Sequence, residues 1–481
     1  MVSPGARRNS IVISRREFGG MSAAFGAAAL GGCAAVRPLA VSGFSLDDLE
    51  RRTFQWFWDT ANPVNGLVPD RWPSKSFCSI AAVGFALNAY AIGATRGWIS
   101  RAEARDRTLI TLRFFATAPQ GPAASGVTGH NGFFYHFIDM QTGYRFETTE
   151  LSSIDTVLLL GGMLFSAQYY DRADPAESEI RRLAKLINDR VDWQWMLGKG
   201  PYVSMGWGPE KGFITSQWDR YNEATLLYLL ALGSPTYPIS PEVWTRWTAN
   251  WEVSWGDHFG ERHLHFAPLF GHQYSHVWVD FRGIRDSWLR AHDLDLFENS
   301  RRATRAQRNY AIANPNRWTG YGKDIWGLTA CDGPGDFKTM IGGVEREFYS
   351  YSARGPGERD DGTLAPTALG GSIVFEPRLV GEALIAMHRR YGAAIYGQYG
   401  FLDAFNPTLI ARPPGKPLLH GRIIEGLCWT DSDYLGIDQG PMVAMIANHR
   451  DEFIWKWMRG SPPLIAGLRR AGFTGDWLDR A

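Results

Sequence analysis

Apolar residues recur at three- and four-residue spacing through nearly the whole chain from residue 45 to 475, a period that leaves room for little besides packed helices. The spacing predicts helices over 46–61, 79–99, 101–118, 151–170, 177–197, 221–232 and 241–251. It continues over 278–299, 300–313, 377–391, 441–449 and 451–459, with a short closing helix at 461–471. About a dozen helices joined by aromatic, glycine-rich loops imply an all-α fold, an α/α toroid in which paired helices close a ring and long loops on one rim line a cleft. Strands should be few. No polar low-complexity linker divides residues 45–475, so they read as one domain.

Charge excludes several partners. Fifty basic against forty-nine acidic side chains leave a net charge of +1, so no global field favours nucleic acid or an anionic surface. A neutral partner fits better, and 20 Trp, 27 Phe and 18 Tyr are more rings than core filling usually demands, so some should face a cleft. Residues 1–40 stand apart as a twin-arginine export signal: Arg15 and Arg16 precede the small apolar run Met21–Leu30, and Leu30-Gly31-Gly32-Cys33 has the form of a lipoprotein cleavage box. The expected location is therefore a bacterial periplasm or envelope, with Cys33 carrying a lipid anchor if that box is used. Cys78, Cys331 and Cys428 then remain, too widely spaced for a disulfide framework or zinc motif, and form either one bridge or buried free thiols. A monomer is expected.

Chemistry concentrates at a few points. Trp429-Thr430-Asp431-Ser432-Asp433-Tyr434 runs into Leu435-Gly436-Ile437-Asp438-Gln439-Gly440-Pro441, combining acids, rings and an amide as a sugar site does. Gln217-Trp218-Asp219-Arg220-Tyr221-Asn222 places Glu223 at the head of an apolar helix, where an aromatic wall would disfavour its charged form. Glu150 and Asp155 open another apolar helix, with Glu147 nearby, and their spacing should turn them partly apart. Asp332 and Asp361 sit in acid-glycine turns that suit hydroxyl recognition or turn formation. Five histidines fall between His258 and His276, among them His272 beside Tyr274, but without the carboxylate or cysteine partners of a zinc site. They read as a cleft loop donating hydrogen bonds, and no metal or cofactor is expected. Neither a G-x-S-x-G elbow nor a phosphate-cradling glycine loop occurs.

Taken together, His265–His276, Gly327–Asp332, Asp361–Pro366 and Tyr434–Pro441 resemble the glucoamylase-like family, and within it glycoside hydrolase family 144, the bacterial β-1,2-glucanases. The resemblance covers residues 45–475 and implies an (α/α)6 barrel, no metal, inversion at the anomeric centre, and either endo action or exo action releasing sophorose. On that reading Glu223 is the general acid and Asp438 the leading general base, with Asp155, Glu150, Asp431 and Asp433 in reserve. Trp218, Tyr221, Trp429 and Tyr434 would stack on glucosyl units, while His272, Tyr274, Asp332, Asp361, Asp431 and Gln439 would bind substrate. The competing readings are a glucan-binding lipoprotein without activity and a transglycosylase of the same fold.

Overall fold

The computed structural model describes residues 43–481, so the export segment and Cys33 lie outside the described residues. In chain order the first helices are α1 (Leu46–Thr60), α2 (Ile80–Arg96), α3 (Arg101–Thr117), α4 (Ser153–Tyr169), α5 (Pro175–Asp189) and the one-turn α6 (Trp193–Met196). The middle of the chain forms α7 (Thr225–Gly233), α8 (Pro241–Ala249), α9 (Tyr274–Trp278), α10 (Ser287–Ala291) and α11 (Leu296–Ala313). The last are α12 (Pro366–Gly370), α13 (Pro377–Ile395), α14 (Gly436–Asp451), α15 (Phe453–Met458) and α16 (Pro462–Arg470).

Two kinds of helix separate by burial. In α2, α4, α7 and α14 nearly every residue is buried on every face, the signature of helices enclosed by others. α5 instead buries one face, Glu177, Ile180, Leu183, Ala184, Ile187 and Asn188. The packing follows: α2 lies between α4 and α14, while α1 covers α14, α3 and α5 cover α2 and α4, and α16 covers α7. α2 and α4 touch backbone to backbone, since a Cβ on Gly84 would lie 2.1 Å from the Leu158 carbonyl and one on Gly162 would lie 2.0 Å from the Gly84 carbonyl. Local signals set the starts. Ser79 and Ser152 cap α2 and α4, and Ser100 with Glu103 forms a capping box on α3.

The expectation of an all-α chain with few strands needs correction. The protein is mostly helical, but its loops fold into many ladders of two to five residues, the largest a five-stranded sheet in the order Gly129–His130, Phe133–Tyr135, Leu151–Ser152, Gly206–Gly208 and Gly212–Phe213. Buried rim loops have no water for their backbone groups, so they pair with one another. Short strands lead directly into enclosed helices: Cys78–Ser79 into α2, Leu151–Ser152 into α4 and Tyr434–Leu435 into α14. The first pairs with Phe137–Ile138 and the last with Arg71–Trp72, which places these three helix starts on one rim.

Several boundaries also move: the helix expected over 177–197 breaks into α5 and α6, and the one expected over 221–232 begins at Thr225. The helix expected over 278–299 is interrupted by Gly283 at φ 70°, and Asp286 and Asp295 each cap a new start. α14 begins at Gly436 rather than Pro441, the proline being tolerated close to the N-terminal end. The three described cysteines are buried free thiols.

Candidate active site

Two carboxylate centres flank the start of α2. The first is built on the strand entering α4. Ser152 accepts from the Asp155 amide at 3.2 Å and donates its hydroxyl to Asp155 Oδ2 at 2.6 Å, which fixes Asp155 in the first turn of a buried helix. His136 follows the neighbouring strand. Its Nδ1 lies 2.8 Å from Glu150 Oε1 and its Nε2 3.3 Å from Asp155 Oδ1, so one imidazole joins the two acids that their spacing was expected to turn apart. Glu223 stands two residues before α7, its carbonyl accepting from Ser275 Oγ at 2.9 Å. Its Oε2 is shut off from solvent with no hydrogen-bond partner. Burial raises the Glu223 pKa to about 7, and the charge of Asp155 adds to the rise.

The second centre gathers acids from three separate segments and a base from a fourth. Arg71 Nη1 donates to Asp332 Oδ2 at 2.6 Å and lies 3.9 Å from Asp433 Oδ2. Asp403 Oδ2 accepts from the Asp332 amide at 2.7 Å, Asp431 Oδ1 from the Ser432 amide at 2.7 Å, and Asp433 Oδ1 from the Ser74 amide at 2.8 Å. The Asp403 side chain is hydrogen-bonded to that of Asp438, which sits in the first turn of α14. Burial, with the charge of Asp332 behind it, raises the Asp403 pKa to about 7, and burial likewise raises that of Asp431. Among the described residues, Asp332, Asp403 and Asp431 are the group whose oxygens approach a cation-site spacing, within 4.8 Å of one another. Here the guanidinium of Arg71 offsets part of their charge, and burial favours the protonated forms of Asp403 and Asp431.

Segment 71–80 joins the centres. Arg71 belongs to the second, the Phe77 ring lies 4.2 Å from that of Phe137 beside His136, and the Ile80 amide donates to the His136 carbonyl at 3.3 Å.

Several residues expected to touch substrate are held by partners inside the protein. Trp218 is 3% exposed and donates its indole N–H to Ser153 Oγ at 2.9 Å. The Tyr221 hydroxyl lies 3.1 Å from His272 Nδ1 and accepts from Asn299, and the buried Trp429 donates to the His420 carbonyl. Tyr274 packs on Phe85 and Phe270, Tyr434 on Tyr399, and Gln439 donates to the Phe401 carbonyl at 3.1 Å. Closing a ring of helices demands large rings between them, and the polar tips of Trp218, Tyr221 and Trp429 find internal partners there. Asp361 is consumed by Arg354 in a pair that is 0% exposed on both sides, with bonds of 2.8 and 2.9 Å. Burial also lowers the pKa of His263 to about 4 and of His276 to about 3, so that loop holds neutral core histidines. A Cβ on Gly440 would meet the Phe85 ring at 2.1 Å, so this glycine serves helix packing and not approach to a ligand.

Sequence reasoning missed His136, Arg71, Asp403 and Trp72. Trp72 neighbours Arg71 in the strand paired with Tyr434–Leu435 and is 43% exposed, a ring next to the acids with a free face. The run Asp70-Arg71-Trp72 was the available signal, an acid, a base and an indole together just ahead of an apolar helix.

Comparison with known proteins agrees with a carbohydrate site. A family described as "Putative glucoamylase" matches residues 215–462, just over half of the chain. A curated relative, an exo β-1,2-glucooligosaccharide sophorohydrolase (non-reducing end) of Parabacteroides distasonis, is 27% identical over 458 residues, which span 88% of this chain. The match spans only 57% of that relative's length. Among solved structures, a Bacteroides uniformis protein with the same glucoamylase description superposes with a TM-score of 0.76 at 29% identity, over 91% of this chain and 100% of its own. An endo-β-1,2-glucanase from Chitinophaga pinensis, in complex with sophorotriose and glucose, gives a TM-score of 0.73 at 26% identity, over 90% of this chain and 100% of its own.

Proposed function

This chain belongs to the family described as "Putative glucoamylase", and we propose that it is a glycoside hydrolase that cleaves β-1,2-glucan with inversion, on an (α/α)6 toroid formed by residues 45–475. The observation that carries the chemistry is Glu223, whose pKa near 7 keeps a large share of it protonated at neutral pH, on the same rim as ionisable partners. The substrate class rests on the two relatives that act on β-1,2-glucan or its oligosaccharides.

In this reading Glu223 gives its proton to the glycosidic oxygen as the bond to C1 breaks. A carboxylate on the other side removes a proton from water, whose oxygen bonds to C1 from the opposite face; the two carboxyl groups of such a pair stand about 6.5–9.5 Å apart. Asp155 fits the base better than Asp438. Its charge is felt at Glu223, and His136 and Ser152 hold its oxygens, whereas Asp438 shares a carboxyl–carboxyl hydrogen bond with Asp403 inside a cluster where burial raises carboxyl pKa values. Asp438, Asp332 and Asp431 then hold sugar hydroxyls, and Trp72 offers the stacking face. Action is on a polysaccharide or oligosaccharide by a monomer, exported by the twin-arginine route and lipid-bearing at Cys33 in the bacterial envelope.

Proton NMR during digestion of linear β-1,2-glucan tests the mechanism. The α-anomer of the new reducing end should appear first and then mutarotate; initial release of the β-anomer would mean retention, and no cleavage would remove the reading altogether.

A further inference from the structure

We propose that His136 is a positioning residue of the acid centre, its imidazole bridging Glu150 and Asp155 and holding the Asp155 carboxylate in register with Glu223. The inference rests on the assignment of Glu223 and Asp155 above. Both ring nitrogens face carboxylate oxygens, Nδ1 at 2.8 Å from Glu150 and Nε2 at 3.3 Å from Asp155. A neutral imidazole carries one N–H and one lone pair, so it can donate to only one of them; with a proton on each nitrogen it donates to both.

The ring is not free to choose other partners. It stacks on Phe137 with centroids 3.8 Å apart and planes at 24°. Its own amide donates to the Glu150 carbonyl at 3.0 Å, and its carbonyl accepts from Ile80 at the start of α2. The backbone of three elements thus fixes the imidazole before any substrate arrives.

Glu150 and Asp155 face the ring from the strand and helix start of α4, and Glu223 lies beyond Asp155 ahead of α7. The next cation along the loop, Arg145, is directed elsewhere, to the Thr149 carbonyl at 2.6 Å and to Glu210 at 2.6 Å. Glu150 is the half-exposed end of the array, with 27% of its side chain in solvent, and Asp155 the buried end at 4%. The ring thus stands between two acids beside the general acid, and removing it takes from Asp155 the partner that orients it.

The test is a kinetic comparison of His136→Gln, His136→Gly and Glu223→Gln with the unaltered protein on linear β-1,2-glucan across pH, with circular dichroism to check folding. His136→Gln should lower kcat by about 10²-fold, the cost of a misplaced catalytic group, with KM changed only a few-fold. Added imidazole should restore part of the rate of His136→Gly. A folded His136→Gln with unaltered kcat, or a lowered kcat with no imidazole rescue of His136→Gly, would overturn the proposal. Glu223→Gln separates the two levels of the account: if it stays active the acid assignment has failed, and if it is inactive while His136→Gln behaves normally only the bridge has failed.

Discussion

Glu223→Gln should lower kcat by about 10²–10⁴-fold while leaving the protein folded, the range expected when a general acid is removed. Glutamine keeps the length and shape of the side chain, and the local anchor, the Ser275 hydroxyl donating to the residue-223 carbonyl, involves only backbone on that side. What disappears is the transferable proton. Burial has raised the Glu223 pKa to about 7, so the group is charged, and useless as an acid, at higher pH. The sign is therefore fixed: activity of the unaltered protein should fall as pH rises through about 7, and the limb belonging to Glu223 should be missing from the residual activity of Glu223→Gln. Steady-state kinetics from pH 4 to 9 check both. A variant keeping more than about a tenth of the rate would move the acid to another residue.

Asp361→Ala should cost about 3–5 kcal/mol of stability, because it strands a buried guanidinium. Arg354 is fully buried. It donates to both Asp361 oxygens and to the carbonyls of Cys331, Tyr349, Ser350 and Ser352, while Asp361 also accepts from the Tyr349 and Thr363 amides at 3.0 Å. The pair pins a small apolar cluster of Cys331, Phe348, Ala365, Leu409 and Trp429 beneath the rim loops. Urea denaturation measures the loss. The double replacement Arg354→Met with Asp361→Leu should recover only part of it: an apolar pair leaves no bare charge, but the carbonyls and amides that the pair satisfies lose their partners. An Asp361→Ala protein with an unaltered midpoint but weakened substrate binding would return Asp361 to the hydroxyl-binding role its acid-glycine turn had implied.

Burial on all faces made the enclosed helices legible. The continuous apolar runs of α2 and α4 cannot sit on a surface, and serine ahead of each marks where it begins. Pro441 misled because proline is read as a first-turn residue, whereas α14 accepts it five residues further in. The small ladders were illegible for a different reason. Strands of two or three residues carry no period, and some partners are distant in sequence, Arg71–Trp72 with Tyr434–Leu435 by hundreds of positions.

The site divides along the same line. Glu223 could be found from a local pattern, an acid between an aromatic run and an apolar helix. Asp155 and Asp438 were legible as acids in the first turn of apolar helices. His136, Arg71 and Asp403 were not, because ring closure alone brings residues 71, 136 and 403 to the starts of α2, α4 and α14. The aromatic excess was read as a sugar platform, yet most of those rings fill the gaps between curved layers of helix, with Trp56, Trp193, Trp247, Trp251, Trp278, Trp326 and Trp429 fully buried.

Sugar release from linear β-1,2-glucan, with laminarin and cellulose alongside and Glu223→Gln as the blank, tests the central claim most directly. The account predicts oligosaccharide or sophorose release from the β-1,2-linked chain by the unaltered protein, little from either control polymer, and near-background release by the variant. Equal or faster release from the β-1,3- or β-1,4-linked polymers, or undiminished release by Glu223→Gln, would contradict it.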